Sequence, residues 1–169
     1  MFDAIWHKIS KRKEEEVSIE TILKNSPVFD GLKTSEISFV SKMVYLRKYS
    51  RDEIIFYEGQ PGVGLYIIKN GRVRIRRYSD GIENTLSVLT AGDFFGELSL
   101  FDESPRSADA ISETDNTEII CFFKPELLQI LDKKAKVGAK ILFNCIKIIS
   151  ERLRLANEKL KELSDKPKI

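Results

Sequence analysis

The residues best equipped for chemistry lie in one stretch, Ala91 to Ser112, which reads AGDFFGELSLFDESPRSADAIS. Gly92 and Gly96 bracket an aromatic pair, Glu97 follows, and Pro105, Arg106, Ser107 and Ala108 come after a short acidic run. This places one carboxylate and one guanidinium nine residues apart. A guanidinium grips a phosphate through two parallel N–H bonds, and a hydroxyl such as Ser107 adds another. A carboxylate accepts from sugar hydroxyls. A short helix beginning near Gly96–Glu97 would turn unpaired backbone N–H groups toward an anion. Gly96 would let that ligand approach the main chain. Together these groups suit a small ligand with a phosphate and a sugar. An internal ion pair closing a loop would use the same Glu97 and Arg106, and the residues alone do not choose between the two.

Other chemistries find little support. The chain has 169 residues, so it is about one domain. His7 is its single histidine, which disfavours an imidazole metal site, a Ser–His catalytic pair, or a metal-dependent jelly-roll enzyme. Cys121 and Cys145 both lie in apolar runs and read as buried free thiols. The net charge is only +2, giving no strong global pull toward nucleic acid. With 42% hydrophobic and 32% charged residues, the chain is neither disordered nor polytopic. No apolar run approaches the ~18 residues of a membrane helix, and the first residues lack a signal-peptide pattern. A cytoplasmic protein, away from membranes and without a cofactor, is the expectation.

Three zones must position these side chains. Residues 1–44 read as an N-terminal helical segment. There Phe2, Ile5, Trp6 and Ile9 form a narrow stripe, and Lys11–Lys13 are balanced by Glu14–Glu16. Ser18 can cap a helix that Asn25, Ser26 and Pro27 end, and another helix spans about Ser35 to Met43. Residues 45–134 read as β, with a short helix at about Pro125 to Leu131. In RVRIRRY, Val73 and Ile75 share one face and Arg72, Arg74 and Arg76 the other. Turn residues sit at Gly59 to Gly64, Asn70–Gly71, Asp80–Gly81 and Ala91–Gly92. Many short strands without βαβ alternation imply a sandwich or a jelly roll. Residues 135–164 read as one long helix. Leu142, Ile146, Ile149, Leu153, Ala156, Leu160 and Leu163 make a heptad seam, and Ile141, Ile148 and Leu155 a second stripe. The seam predicts a homodimer, leaving the second stripe for the chain's own β zone.

The stretch FGELSLFDESPRSADA resembles the phosphate-binding cassette of cyclic nucleotide-binding domains, found in bacterial catabolite activators and in regulatory subunits of cyclic-AMP-dependent protein kinases. The turn Glu58-Gly59-Gln60-Pro61-Gly62 and the following LYIIKNGRVRI are similar to the strand–turn–strand before that cassette. The resemblance implies a mainly β fold with flanking helices, an antiparallel β jelly roll followed by a dimerisation helix. It implies that Arg106 and Ser107 take the cyclic phosphate, Glu97 the ribose 2′-hydroxyl, and Gly96 and Leu98 supply backbone contacts. Ile75, Leu86 and Ser87 would line the base. Arg152 and Asn157, flanking the seam, would reach a twin's pocket, although Ala156 departs from the small hydroxyl residues that catabolite activators carry near there. Ser107, rather than the Thr common in cyclic-GMP-selective members, favours cyclic AMP over cyclic GMP. The expected protein is a cyclic nucleotide sensor, not an enzyme. It would act on a separate protein effector, with no direct DNA binding, since six residues after Leu163 cannot hold a helix-turn-helix. A roll that has lost its ligand and serves as a scaffold is the alternative.

Overall fold

The computed structural model describes residues 17–102 and 104–164. The stripe of Phe2, Ile5, Trp6 and Ile9 and the charge run that follows it lie outside them. Helix α1 (Ile19–Asn25) starts at Ser18, whose hydroxyl accepts from the Thr21 N–H at 3.2 Å. A 3-10 turn at Pro27–Phe29, helix α2 (Thr34–Val40) and a second 3-10 turn at Ser41–Met43 complete the N-terminal layer.

Eight strands follow: β1 (Tyr45–Tyr49), β2 (Ile54–Phe56), β3 (Gly64–Asn70), β4 (Arg72–Ser79), β5 (Ile82–Thr90), β6 (Phe94–Phe95), β7 (Asp109–Ser112) and β8 (Thr117–Phe123). They form two four-stranded sheets, ordered β1-β8-β3-β6 and β2-β7-β4-β5, with every pairing antiparallel. This is the expected jelly-roll arrangement. Strands β3 and β8 are buried almost throughout, which explains their unbroken apolar character. One core gathers α1, the 3-10 turn and the last two helices on the first sheet, around Phe29, Ile67, Ile120, Phe122 and Ile141. A second lies between the sheets around Tyr66, Ile68, Val73, Phe95 and Ala110. Cys121 and Cys145 are buried free thiols, pushed up by burial to about 11 and about 12, so both stay protonated at neutral pH.

Helix α3 (Lys124–Lys133) continues from β8 with Pro125 in its first turn, where a missing N–H costs nothing. Helix α4 (Ala135–Ser164) has two unlike halves. Its first half buries Val137, Gly138, Ile141, Asn144 and Cys145 against the body, and the Asn144 amide donates to the carbonyls of Val28 and Asp30. From Glu151 onward every described residue is exposed. The stripes therefore divide by position along the helix and not only by face. Ile141 and Ile148 pack on the body as expected, but so does Leu142 of the seam, while Leu155 is 51% exposed. The reason is that α4 runs out past the roll, so that from Glu151 to Ser164 none of its residues is buried.

Candidate functional site

The cavity is built between the sheets and capped by the segment joining β6 to β7. Gly96 adopts φ 74°, a left-handed conformation, and so turns the chain from β6 into a 3-10 helix at Glu97–Leu100. A Cβ there would stand 2.6 Å from Arg106 Nη1 and 3.1 Å from the Gly64 carbonyl. The expected short helix is thus one 3-10 turn, and glycine is required by both conformation and space. Opposite it, the Glu58–Val63 turn clamps the main chain of Arg106. Gly59 N–H donates to Arg106 O and Arg106 N–H to Gln60 O, each at 2.8 Å, and Pro61 bridges to Pro105. The turn signal and the cassette signal are thus two sides of one structure.

Arg106 is 6% exposed. Its Nη1 donates to Ser99 Oγ at 2.8 Å and Gly96 O at 3.1 Å, and its Nη2 to Gly64 O at 3.0 Å. The guanidinium carbon lies 4.2 Å from the Phe56 ring centre and 5.2 Å from that of Tyr66. Its Nε is buried and has no acceptor among the described residues. Burial pushes the guanidinium's pKa down, opposed by Tyr66 and Glu97. Each of these three hydrogen bonds ends on a neutral oxygen. A buried charge held this way is costly, and an anion would repay it.

Glu97, 7% exposed, is held from the other side of the cavity. Arg152 of α4 donates to its Oε1 at 2.6 Å and to the Phe94 carbonyl at 3.3 Å, with its guanidinium 4.7 Å from the Phe94 ring centre. Glu97 and Arg106 are therefore not the loop-closing pair that their spacing allowed: each has its own partners. The cavity between them measures about 530 Å³. Gly96, Glu97, Leu98, Arg106, Ser107, Ile75, Ser87 and Arg152 all line it. Two expected residues do not. Leu86 is 56% exposed, because the register between β4 and β5 slips after Ile75, which pairs with Ser87 while Arg76 pairs with Thr85. Ser87 and Leu89 then face inward, and Leu86 sits in the bulge. Asn157 is exposed and lies more than a turn beyond Arg152, where α4 has left the body. Arg152 itself reaches the cavity of its own chain, not the twin's pocket expected of it. Sequence reasoning missed Phe56, Leu89, Phe94, Phe95 and Asp102 in the lining. The alternation of β5 could have found Leu89, two residues after Ser87.

A family profile described as "Cyclic nucleotide-binding domain" matches residues 46–134. The chain belongs to the cyclic nucleotide-binding domain family. The cyclic AMP receptor protein of Thermus thermophilus is 36% identical over 84% of this chain and 64% of that protein. A CRP-like cAMP-activated global transcriptional regulator of Mycobacterium tuberculosis is 32% identical over 86% of this chain and 63% of its own length. The chain thus spans a little under two thirds of these bacterial relatives. Among solved structures, Thermus thermophilus catabolite activator protein superposes with a TM-score of 0.74 at 34% identity, covering 82% of this chain and 63% of that one. The regulatory domain of Toxoplasma gondii PKA, solved with cAMP, gives 0.60 at 28% identity, covering 66% and 42%. A domain of this family binds a cyclic nucleotide in a regulatory role, and these relatives are regulators and not catalysts. Among the described residues no helix is long and apolar enough to cross a membrane, and no group of three His, Cys, Asp or Glu side chains could hold a metal ion.

Proposed function

We propose that the protein is a cyclic AMP sensor that binds its ligand in the cavity between Arg106 and Glu97. The observation that carries this reading is the buried guanidinium of Arg106, supplied only with neutral acceptors and an idle Nε. The cyclic phosphate supplies the missing negative charge there. Ser107 adds its hydroxyl to the phosphate, and Gly96 and Leu98 offer backbone contacts. The Arg152 bond uses Glu97 Oε1, which leaves Oε2 to accept from the ribose 2′-hydroxyl. The base then lies against Ile75, Ser87 and Leu89. Ser107 favours cyclic AMP over cyclic GMP, and the relatives whose names specify cAMP support the same choice. The protein's role is binding and not catalysis.

The exposed half of α4 completes the reading. Leu153, Leu160 and Leu163 are 59%, 64% and 63% exposed and keep heptad spacing, which suits a parallel pairing of two copies. In such a dimer Asn157 offers a donor and an acceptor to the partner's base edge. Calorimetric titration of nucleotide-free protein with cyclic AMP and cyclic GMP, beside Arg106→Ala, tests the sensor. Micromolar or tighter binding of cyclic AMP, lost in the variant, is expected. A folded protein that binds neither nucleotide would be the scaffold instead. Sedimentation of Leu153→Glu against the parent tests the pairing: a dimer that becomes a monomer is expected.

A further inference from the structure

Arg106 rests on aromatic rings drawn from both sheets. Tyr66 of β3 and Phe95 of β6 are register partners, and their rings stack with centres 5.4 Å apart at 16°. Phe56 ends β2 on the other sheet, where it pairs with Ala110 of β7. Its ring tilts against both, with centres 5.5 Å from Tyr66 and 5.8 Å from Phe95. The guanidinium carbon lies over the Phe56 ring at 4.2 Å, nearer than its 5.2 Å to Tyr66. Tyr66 and Phe95 belong to the buried core, whereas Phe56 is partly buried and also lines the cavity.

Two kinds of contact therefore hold this cation. The bonds to Ser99, Gly96 and Gly64 set its rotation within the guanidinium plane. The Phe56 ring sets the tilt of that plane, and a ring's negative face attracts a cation. A phosphate is gripped by two parallel N–H bonds only when the plane is turned to receive it. Without the ring, the cation would relax toward water or toward Glu97 while the cavity is empty. A ligand would then have to draw it back, at a cost in affinity. We propose that Phe56 is a positioning residue for the ligand's phosphate, its ring face holding the Arg106 guanidinium in its binding orientation before any anion arrives. The proposal rests on the cyclic nucleotide reading of this site. It extends the phosphate grip to a β2 residue outside the cassette, one that acts on the cation and not on the ligand.

Replacing Phe56 with a trifluorinated phenylalanine keeps the ring's shape and removes most of its negative face. Calorimetry compares this protein with the parent, using cyclic AMP and its 2′-deoxy analogue, and circular dichroism checks the fold. The fluorinated protein should bind both ligands about three- to tenfold more weakly, and by the same factor, because the loss lies at the phosphate. Phe56→Leu, which removes the ring altogether, should lose at least as much. A second readout needs no ligand. The NMR signal of the Arg106 Nε–H group, identified by its absence from Arg106→Met, should be sharp in the parent. In the fluorinated protein it should broaden and exchange faster with water, and saturating cyclic AMP should restore it. Unchanged affinity in both variants would reduce Phe56 to packing. Weaker binding beside an unchanged ligand-free Arg106 signal would mean that the ring touches the ligand itself. Either result overturns the proposal while leaving the sensor reading intact. A parent that binds neither cyclic AMP nor cyclic GMP would overturn the sensor reading, and the proposal with it.

Discussion

Arg106 and Arg76 are both arginines largely withdrawn from water, yet they are supplied in opposite ways. Arg76, on β4, reaches two carboxylates: Glu83 at 2.8 Å and Asp109 at 3.3 Å. Burial works against its charge, but Glu83, Tyr78 and Asp109 outweigh it, and its pKa is raised. Arg106 is more deeply buried, is given only neutral oxygens, and has its pKa lowered by that burial. The first is complete within the fold. The second is stable enough to form but electrostatically unfinished. The contrast separates a side chain that builds the roll from one that waits for an anion, a distinction that residue type and burial alone do not make.

The sharpest way to break the contrast is to remove both charges in turn. Arg106→Met should cost about 3 kcal/mol of nucleotide binding, a loss of more than a hundredfold, because a charge-assisted phosphate contact goes. The stabilisation that cyclic AMP gives the parent in a thermal melt should vanish with it. If Arg106→Met kept its affinity, the buried guanidinium would be structural after all.

Glu97 supplies the next largest effect. Glu97→Ala should weaken cyclic AMP by about 1.5–2 kcal/mol, or roughly ten- to thirtyfold, since a hydroxyl loses a charged acceptor. The 2′-deoxy analogue should bind the parent as weakly as cyclic AMP binds the variant, and should lose nothing further in Glu97→Ala. Additive losses would place the ribose elsewhere.

The sequence made one end of this site far more legible than the other. Gly96, Glu97, Arg106 and Ser107 fall within twelve residues, so a short motif keeps their chemistry together. The turn at Glu58–Gly62 was visible too, though not its grip on the Arg106 main chain. Arg152 stands 55 residues from Glu97, and its bond depends on where α4 crosses the roll, which no local spacing records. Leu86 was misplaced because alternation assumes an unbroken register, and one bulge reverses which β5 residues face inward. In α4 the heptad spacing was plain, but not the point where the helix leaves the body.

Arg76→Met should give a smaller effect of the opposite kind. Glu83 and Asp109 would lose a donor in a site that solvent partly reaches, so stability should fall by about 1 kcal/mol in urea unfolding. Cyclic AMP affinity should stay within experimental error of the parent. A matching loss of affinity would show that β4 transmits strain to the cavity, and the two arginines would then not be independent.

Arg152 tests the middle case, a cation that is half exposed and paired to the site's own carboxylate. Its side chain is 47% exposed, so screening limits what the pair is worth. If it orients Glu97 for the ribose, Arg152→Ala should weaken cyclic AMP only about two- to fivefold, roughly 0.5–1 kcal/mol. The variant should show no effect on the 2′-deoxy analogue, because that ligand never uses Glu97. Tighter cyclic AMP binding in Arg152→Ala would mean the reverse: the arginine competes with the ribose, and the nucleotide must displace α4 from Glu97 in order to bind.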